Sequence, residues 1–193
     1  MRQLEWEESI VRKGLAVGAV LISVLVAGCG GGAETPEPPA ETNSSSEPTA
    51  TQSARTAPVK SLDVSDQCSL VAETRAKSFG ADQAAEPGES NGKKGCDYMK
   101  GVSGGGFIVF VSADKSQTMQ KFADARKSKT QMIEVGGYPA AQVPVDQASC
   151  LLALDVSDQG SLYINTLVPS GSPNPCDLSK QFAEAALQNL PDA

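Results

Sequence analysis

Five cysteines and no histidine set the chemistry open to this 193-residue chain. Without an imidazole, the Ser-His-Asp and Cys-His arrangements lack their base and zinc lacks its commonest ligand. Carboxylates are what remains for acid–base work, and Asp97, Asp114, Asp146 and Asp155 are the candidates. Glycoside hydrolysis needs two acids facing one another across a cleft, whereas these four fall on unrelated predicted elements. A hydrolase would therefore have to use carboxylates in another arrangement, or a serine with an unusual base. The pentapeptide Asp-Val-Ser-Asp-Gln occurs at residues 63–67 and again at 155–159. Two carboxylates at a turn, Asp155 and Asp158, fall short of the six to eight oxygens that calcium takes. The sequence thus predicts no metal site and no cofactor.

Cys29 is the cysteine with the most explicit chemistry. It follows an apolar run, residues 15–27, headed by Arg12 and Lys13 and succeeded by Gly30-Gly31-Gly32. Basic residues, an apolar run and then small residues are the order of an export signal. The run is shorter than the about 20 apolar residues that span a bilayer, so residues 1–28 read as a removed signal peptide. Val26-Ala27-Gly28-Cys29 resembles a bacterial lipobox, in which the cysteine thiol takes a diacylglyceryl group and becomes the mature N-terminus. Each buried methylene adds about 0.8 kcal/mol, so two palmitate-class chains anchor stably. Glu5, Glu7 and Glu8 fit the basic start of such a signal poorly. Translation from the position of Val11 would leave a short basic start.

Residues 29–60 are dominated by Pro, Glu, Thr, Ser and Ala, with almost nothing apolar to bury, and read as the lipidated cysteine and a disordered tether. Such a coil spans on the order of 30 Å and reaches about 100 Å when stretched. Residues 61–193 then form one domain of ordinary size. The formal charge of −7 and the absence of a basic patch argue against nucleic acid, whose affinity comes mainly from Lys and Arg. The expected location is the extracytoplasmic face of the cell membrane.

Helical spacing of Cys68, Val71, Ala72, Ala76 and Phe79, capped by Ser65 or Asp66 and stopped at Gly80, predicts a first helix. Residues 81–95 are polar and rich in turn formers. Residues 96–99 and 107–111 read as a strand pair. Asp114 with Gln117 makes a capping-box-like start for a second helix through Met119, Phe122 and Ala123 to about Lys127. Strands follow at 131–135 and 140–145, turned by Gly136-Gly137 and with Pro144 marking an edge or bulge. Strict alternation at 150–156 and 162–168 gives the strongest strand signals, with Asp158-Gln159-Gly160 as their turn. Asn174 and Pro175 open a last helix in which Leu178, Phe182, Ala186 and Leu190 recur, and Pro191 ends it. The fold class is α+β, an antiparallel sheet flanked by about three helices in the order α-β-β-α-β-β-β-β-α.

The other four cysteines, in an exported chain, imply two disulfides. Cys68 with Cys96 and Cys150 with Cys176 each tie one helix to one strand; two other connectivities are open to four cysteines. No CxxC spacing occurs, so nothing points to a redox role.

Cys68-Ser69-Leu70, Cys96-Asp97-Tyr98, Val-Gly-Gly-Tyr-Pro-Ala at 135–140, Cys-Leu-Leu-Ala-Leu-Asp-Val at 150–156, Gly-Ser-Leu-Tyr-Ile-Asn-Thr at 160–166 and Pro175-Cys176 through Leu190-Pro191 occur in that order. With the lipobox and tether, they make a chain that resembles the actinobacterial lipoprotein family catalogued as a domain of unknown function, DUF3558. Gln67 stands where that family often has proline, and Tyr98 where it often has tryptophan. The resemblance implies an exported, anchored α+β domain and assigns no activity.

The glycine-rich stretch at 101–106 lacks the following helix that a phosphate cradle requires, so it reads as a turn. Tyr98, Tyr138 and Tyr163 are the candidate binding surface, since tyrosine offers apolar area with a polar tip; core packing is the competing account. These readings favour a non-enzymatic binding or interaction domain in the cell envelope, its partner a protein, a lipid or a glycan. A hydrolase and a small-ligand or lipid carrier are the alternatives.

Overall fold

The structure, a computed structural model, describes residues 55–101 and 105–193. The segment read as a signal peptide, Cys29, the expected tether up to residue 54 and residues 102–104 of the glycine-rich stretch lie outside the described residues.

The first helical stretch departs from its expected continuity. A 3-10 turn, Gln67–Ser69, capped by Asp66, is followed by a separate helix α1, Glu73–Ser78. The break has a cause in the tertiary structure. The Tyr98 hydroxyl accepts a hydrogen bond from Val71 N (3.1 Å) and donates one to Cys68 O (3.0 Å), engaging backbone groups a continuous helix would pair within itself.

Seven strands form one antiparallel sheet: β1 Glu86–Ser90, β2 Lys93–Lys100, β3 Phe107–Asp114, β4 Gln131–Val135, β5 Tyr138–Pro144, β6 Ser149–Ser157 and β7 Gly160–Leu167, in the spatial order β1-β2-β3-β7-β6-β5-β4. Pro144 lies beyond the reach of β4, whose pairing with β5 ends at Gln142, so its missing N–H costs no ladder bond there. β4 and β5 turn at Gly136 and Gly137, both at positive φ.

β1 is the strand that composition concealed. Asn91 and Gly92, both at positive φ, make the tight turn into β2, and an Asn-Gly pair is a hairpin signal in its own right. Gly88 and Gly95 lie opposite each other in this hairpin. A Cβ on Gly95 would come within 2.5 Å of the Phe110 ring, and one on Gly88 within 2.0 Å of the Asp97 carboxylate. The missing side chains let the hairpin curl over the sheet. Ser90 Oγ consequently accepts from Asn165 Nδ2 on β7 (2.8 Å), and Asn91 Nδ2 donates to the Tyr163 hydroxyl (2.8 Å).

Helix α3, Pro175–Asn189, covers one face. Asn174 Oδ1 accepts from Cys176 N and Asp177 N, and Pro175 occupies the first turn. Its buried Leu178, Phe182, Ala183 and Ala186 meet the inward residues of β2, β3, β6 and β7. The Phe182 ring packs against Phe79, Tyr98 and Phe107, with centroids 5.1, 5.5 and 6.3 Å away. On the opposite face, the short helix α2, Met119–Asp124, lays Met119, Phe122 and Ala123 over Phe110, Tyr163, Ala141, Val143 and Ala153. Thr118, rather than Asp114, is its N-cap, because Asp114 ends β3 and is engaged elsewhere; the helix also stops short of Lys127.

The disulfides pair as Cys68–Cys96 and Cys150–Cys176, resolving the open connectivity. One fastens the 3-10 turn to β2 and the other fastens β6 to the first turn of α3. The chain packs on the domain from Arg55, ahead of the expected start at Ser61. Thr56 N and Ala57 N donate to Gly137 O, Lys60 N donates to Val156 O, and Lys60 forms a bridge and an ion pair with Asp192. Among the described residues, no helix is long and apolar enough to cross a membrane.

Candidate functional site

The three tyrosines read as a candidate surface point inward, and that expectation is corrected. Tyr98, Tyr138 and Tyr163 are all buried. Tyr98 staples the break ahead of α1, and burial pushes its phenol up to about 12. The Tyr138 hydroxyl donates to Pro58 O (2.5 Å), holding the incoming chain. Tyr163 lies between Phe110 and Phe122 with its hydroxyl taken by Asn91, and burial raises its pKa too. Each ring fills core space while its hydroxyl ties a neighbouring segment to the domain, which is the reason a tyrosine rather than a phenylalanine suits these positions.

The carboxylates do not assemble into one cleft. Asp155 sits beside the Arg55 guanidinium, Oδ2 3.3 Å from Nε, and Asp158 pairs with the same guanidinium. The two residues weighed as calcium ligands therefore hold Arg55 at the start of the described chain. Asp146 lies in the β5–β6 loop and accepts from Ala148 N (2.8 Å). Asp97 projects beside Glu86, its cross-strand partner.

Burial first, and Glu86 second, push the Asp97 carboxyl above its ordinary 3.8. The folded state therefore favours the protonated form. Any penalty is absent below the unfolded value, where both states are protonated, grows as pH rises from the unfolded to the folded value, and is complete above it. Asp97→Asn is accordingly expected to raise the melting temperature at neutral pH, with the difference from wild type vanishing below pH 3.8. Melting curves at the two pH values test this; an equal shift at both would assign the effect to something other than ionisation.

One cleft brings together residues that sequence reasoning had not connected. It has a volume of about 650 Å3 and opens between residues 62–67 and the adjoining ends of β2 and β3. In its wall, Lys93 Nζ donates to Asp114 Oδ2 (2.5 Å) and Ser116 Oγ (3.2 Å), and lies 5.3 Å from the Tyr163 ring centroid. Asp114 Oδ1 accepts from both the backbone N–H (2.9 Å) and the hydroxyl (2.6 Å) of Ser116, an Asx turn that closes the chain after β3. Gln67 Oε1 accepts from Ala113 N (2.8 Å), and Asp63 pairs with Lys115. This is the nearest approach to a serine with an unusual base. The ammonium is committed to a carboxylate and has no lone pair with which to take the serine proton, so the trio braces the turn. Nothing local links Lys93 to Asp114; only the β2–β3 register does.

The face of the sheet away from α3 carries a second feature. Side chains alternate along each strand, so the register places Met99, Ile108, Leu167 and Ser149 in one row across β2, β3, β7 and β6. Val145, just past β5, extends the row, its N–H donating to Ser149 O (3.0 Å). Helix α2 covers the rows beyond Phe110 and Val143 but leaves this one open. Ile108, Leu167 and Val145 are 41, 42 and 42 % exposed. The row sits at the end where β3 and β6 begin. Arg55 and Thr56 are fastened at the other end, to Asp158 in the β6–β7 turn and Gly137 in the β4–β5 turn. Alternation was legible in the sequence for β6 and β7, but the alignment of these residues into a row depends on β7 lying between β3 and β6.

Comparison with curated proteins finds no match, and comparison with solved structures finds none either. Residues 24–189 match the family described as Protein of unknown function (DUF3558), over the element order and both disulfides set out above. With most of its length matched, the chain belongs to the DUF3558 family.

Proposed function

We propose that the chain is an extracytoplasmic lipoprotein, anchored at the outer face of the cell membrane through lipid on Cys29, whose domain is a non-enzymatic interaction module of the cell envelope. The lipobox-like Val26-Ala27-Gly28-Cys29 supports the anchor, and the family match begins at residue 24, ahead of that cysteine. Two disulfides suit a compartment that keeps them oxidised. The observation that carries the interaction reading is the exposed apolar row at the end of the sheet remote from Arg55. A tethered domain that turns its uncovered apolar side chains away from its attachment offers them to another molecule.

The anchor is tested by expressing the full chain and its Cys29→Ser variant in an actinobacterial host, with fractionation and a clickable palmitate analogue. The expected result is a labelled, membrane-bound wild type and an unlabelled variant lost from the membrane fraction. An unlabelled wild type, or a variant still fully membrane-bound, overturns the anchor. Cross-linking in intact cells tests the module, and enrichment of the same envelope component from independent preparations is the expected outcome.

A further inference from the structure

We propose that the row of Met99, Ile108, Leu167 and Val145 is the docking surface for a segment of another envelope protein in which apolar side chains are flanked by lysine or arginine. This rests on the interaction reading above and names its partner chemistry. The apolar part follows from the exposure of the row itself.

The basic flanks follow from its margins. Exposed Asp82 adjoins Met99, since Asp82 N donates to Met99 O (3.0 Å) and its carboxylate accepts from Gly101 N. Glu86 and Asp97 face each other one row inward, and Asp146 follows Val145. Neither Glu86 nor Asp97 has an ion-pair partner among the described residues. A cation arriving beside Asp97 would meet a partly desolvated carboxyl next to a second acid, where attraction is stronger than at an open surface.

Two other occupants fit this surface less well. The chain's own tether, residues 30–54, contains four glutamates, no lysine or arginine, and no Val, Leu, Ile, Met or aromatic residue. It can offer the row neither an apolar anchor nor an opposite charge. A second copy bound through the same row would bring the acids Asp82, Glu86, Asp97 and Asp146 of one copy against those of the other, and like charges brought together disfavour such an interface.

The test is selection of a random peptide library on the full-length chain carrying Cys29→Ser. Enriched peptides should combine apolar residues with lysine or arginine, and their affinity should fall as salt is raised. Ile108→Asp and Leu167→Asp should each weaken them about tenfold or more, with Met132→Asp, at an even more exposed apolar position on β4, leaving them unchanged. Ile108→Thr and Leu167→Thr keep strand propensity while removing apolar area, and should weaken binding without altering the melting temperature by more than a few degrees. The proposal is overturned by enriched peptides without basic residues, by binding indifferent to Ile108 and Leu167, or by no enrichment. Row-dependent binding to phospholipid vesicles, or a row-dependent dimer in sedimentation, would overturn it in favour of a lipid or a second copy. An unlabelled wild type in the preceding experiment would remove the anchor and leave these peptide results standing, so the two failures are separable.

Discussion

Asp114→Ala is expected to destabilise the domain by about 3–5 kcal/mol, read as a fall in the midpoint of urea unfolding at unchanged slope. The Lys93 and Asp114 side chains are 8 and 5 % exposed, so removing the carboxylate leaves an ammonium buried without its charge partner. The loss reaches further than one pair. Asp114 also accepts both donors of Ser116, and the Asx turn that carries the chain from β3 toward α2 goes with it. Replacing both members with apolar residues, Lys93→Met with Asp114→Leu, removes the unpaired charge and should recover a large part of the stability, because a buried ion pair contributes little beyond an apolar pair of similar volume. A single variant within about 1 kcal/mol of wild type would mean that water reaches the pair. Since these residues form a wall of the cleft beside residues 62–67, the same measurements report whether the cleft is rigid. Hydrogen exchange at Ser116 and Gln117 should accelerate in Asp114→Ala and recover only partly in the double variant, which lacks the Asx turn.

Loss of the disulfides is the second large effect. The bridges join residues 28 and 26 apart, and in the chain-entropy account each restricts the unfolded state enough to contribute about 3–4 kcal/mol. Removing both would take away about 7 kcal/mol, which is comparable with the whole stability of many domains, 5–15 kcal/mol. The reduced chain is therefore expected to unfold at much lower urea than the oxidised one, and to populate unfolded molecules at 37 °C. The two bridges should differ in what they release. Replacing Cys68 and Cys96 by alanine frees the 3-10 turn and the Tyr98 staple, so exchange should rise first at Val71. Replacing Cys150 and Cys176 loosens the start of α3, where Asn174 and Ser179 hold the first turns; Ser179 Oγ donates to Pro175 O and shares a hydrogen bond with Thr166 Oγ1 on β7. If either pair of replacements left the urea midpoint unchanged, the entropic contribution of that loop would be refuted. A domain so dependent on oxidation fits an exported protein, which links this stability argument to the proposed location.

Much of the architecture is written in short-range pattern. The alternation in β6 and β7, the Gly136-Gly137 turn, the Asn174-Pro175 start of α3 and its i+4 apolar repeat are each settled within a few residues. Sequence alone identified them, while the cysteine connectivity, open among three possibilities, was decided by the packing that brings Cys68 to Cys96 and Cys150 to Cys176. The same short-range logic could have revealed β1 through Asn91-Gly92, had the polar composition of residues 81–95 not masked it. What composition could not convey is that Gly88 and Gly95 face each other and let that hairpin fold over Phe110.

The remaining features were decided by the tertiary structure, because their causes are distant in the chain. Tyr98 interrupts a helix from 27 residues away, and Lys93 takes Asp114 out of its expected capping role across 21 residues. Tyrosine chemistry is equally compatible with a surface and a core, so only the placement of α2 and α3 on opposite faces turned the three rings inward. The exposed apolar row exists for the same reason: residue types and alternation follow from sequence, whereas insertion of β7 between β3 and β6 joins Ile108 to Leu167, and the short reach of α2 leaves them uncovered. Local periodicity thus determined the elements, while non-local pairing decided which side chains meet and which face solvent.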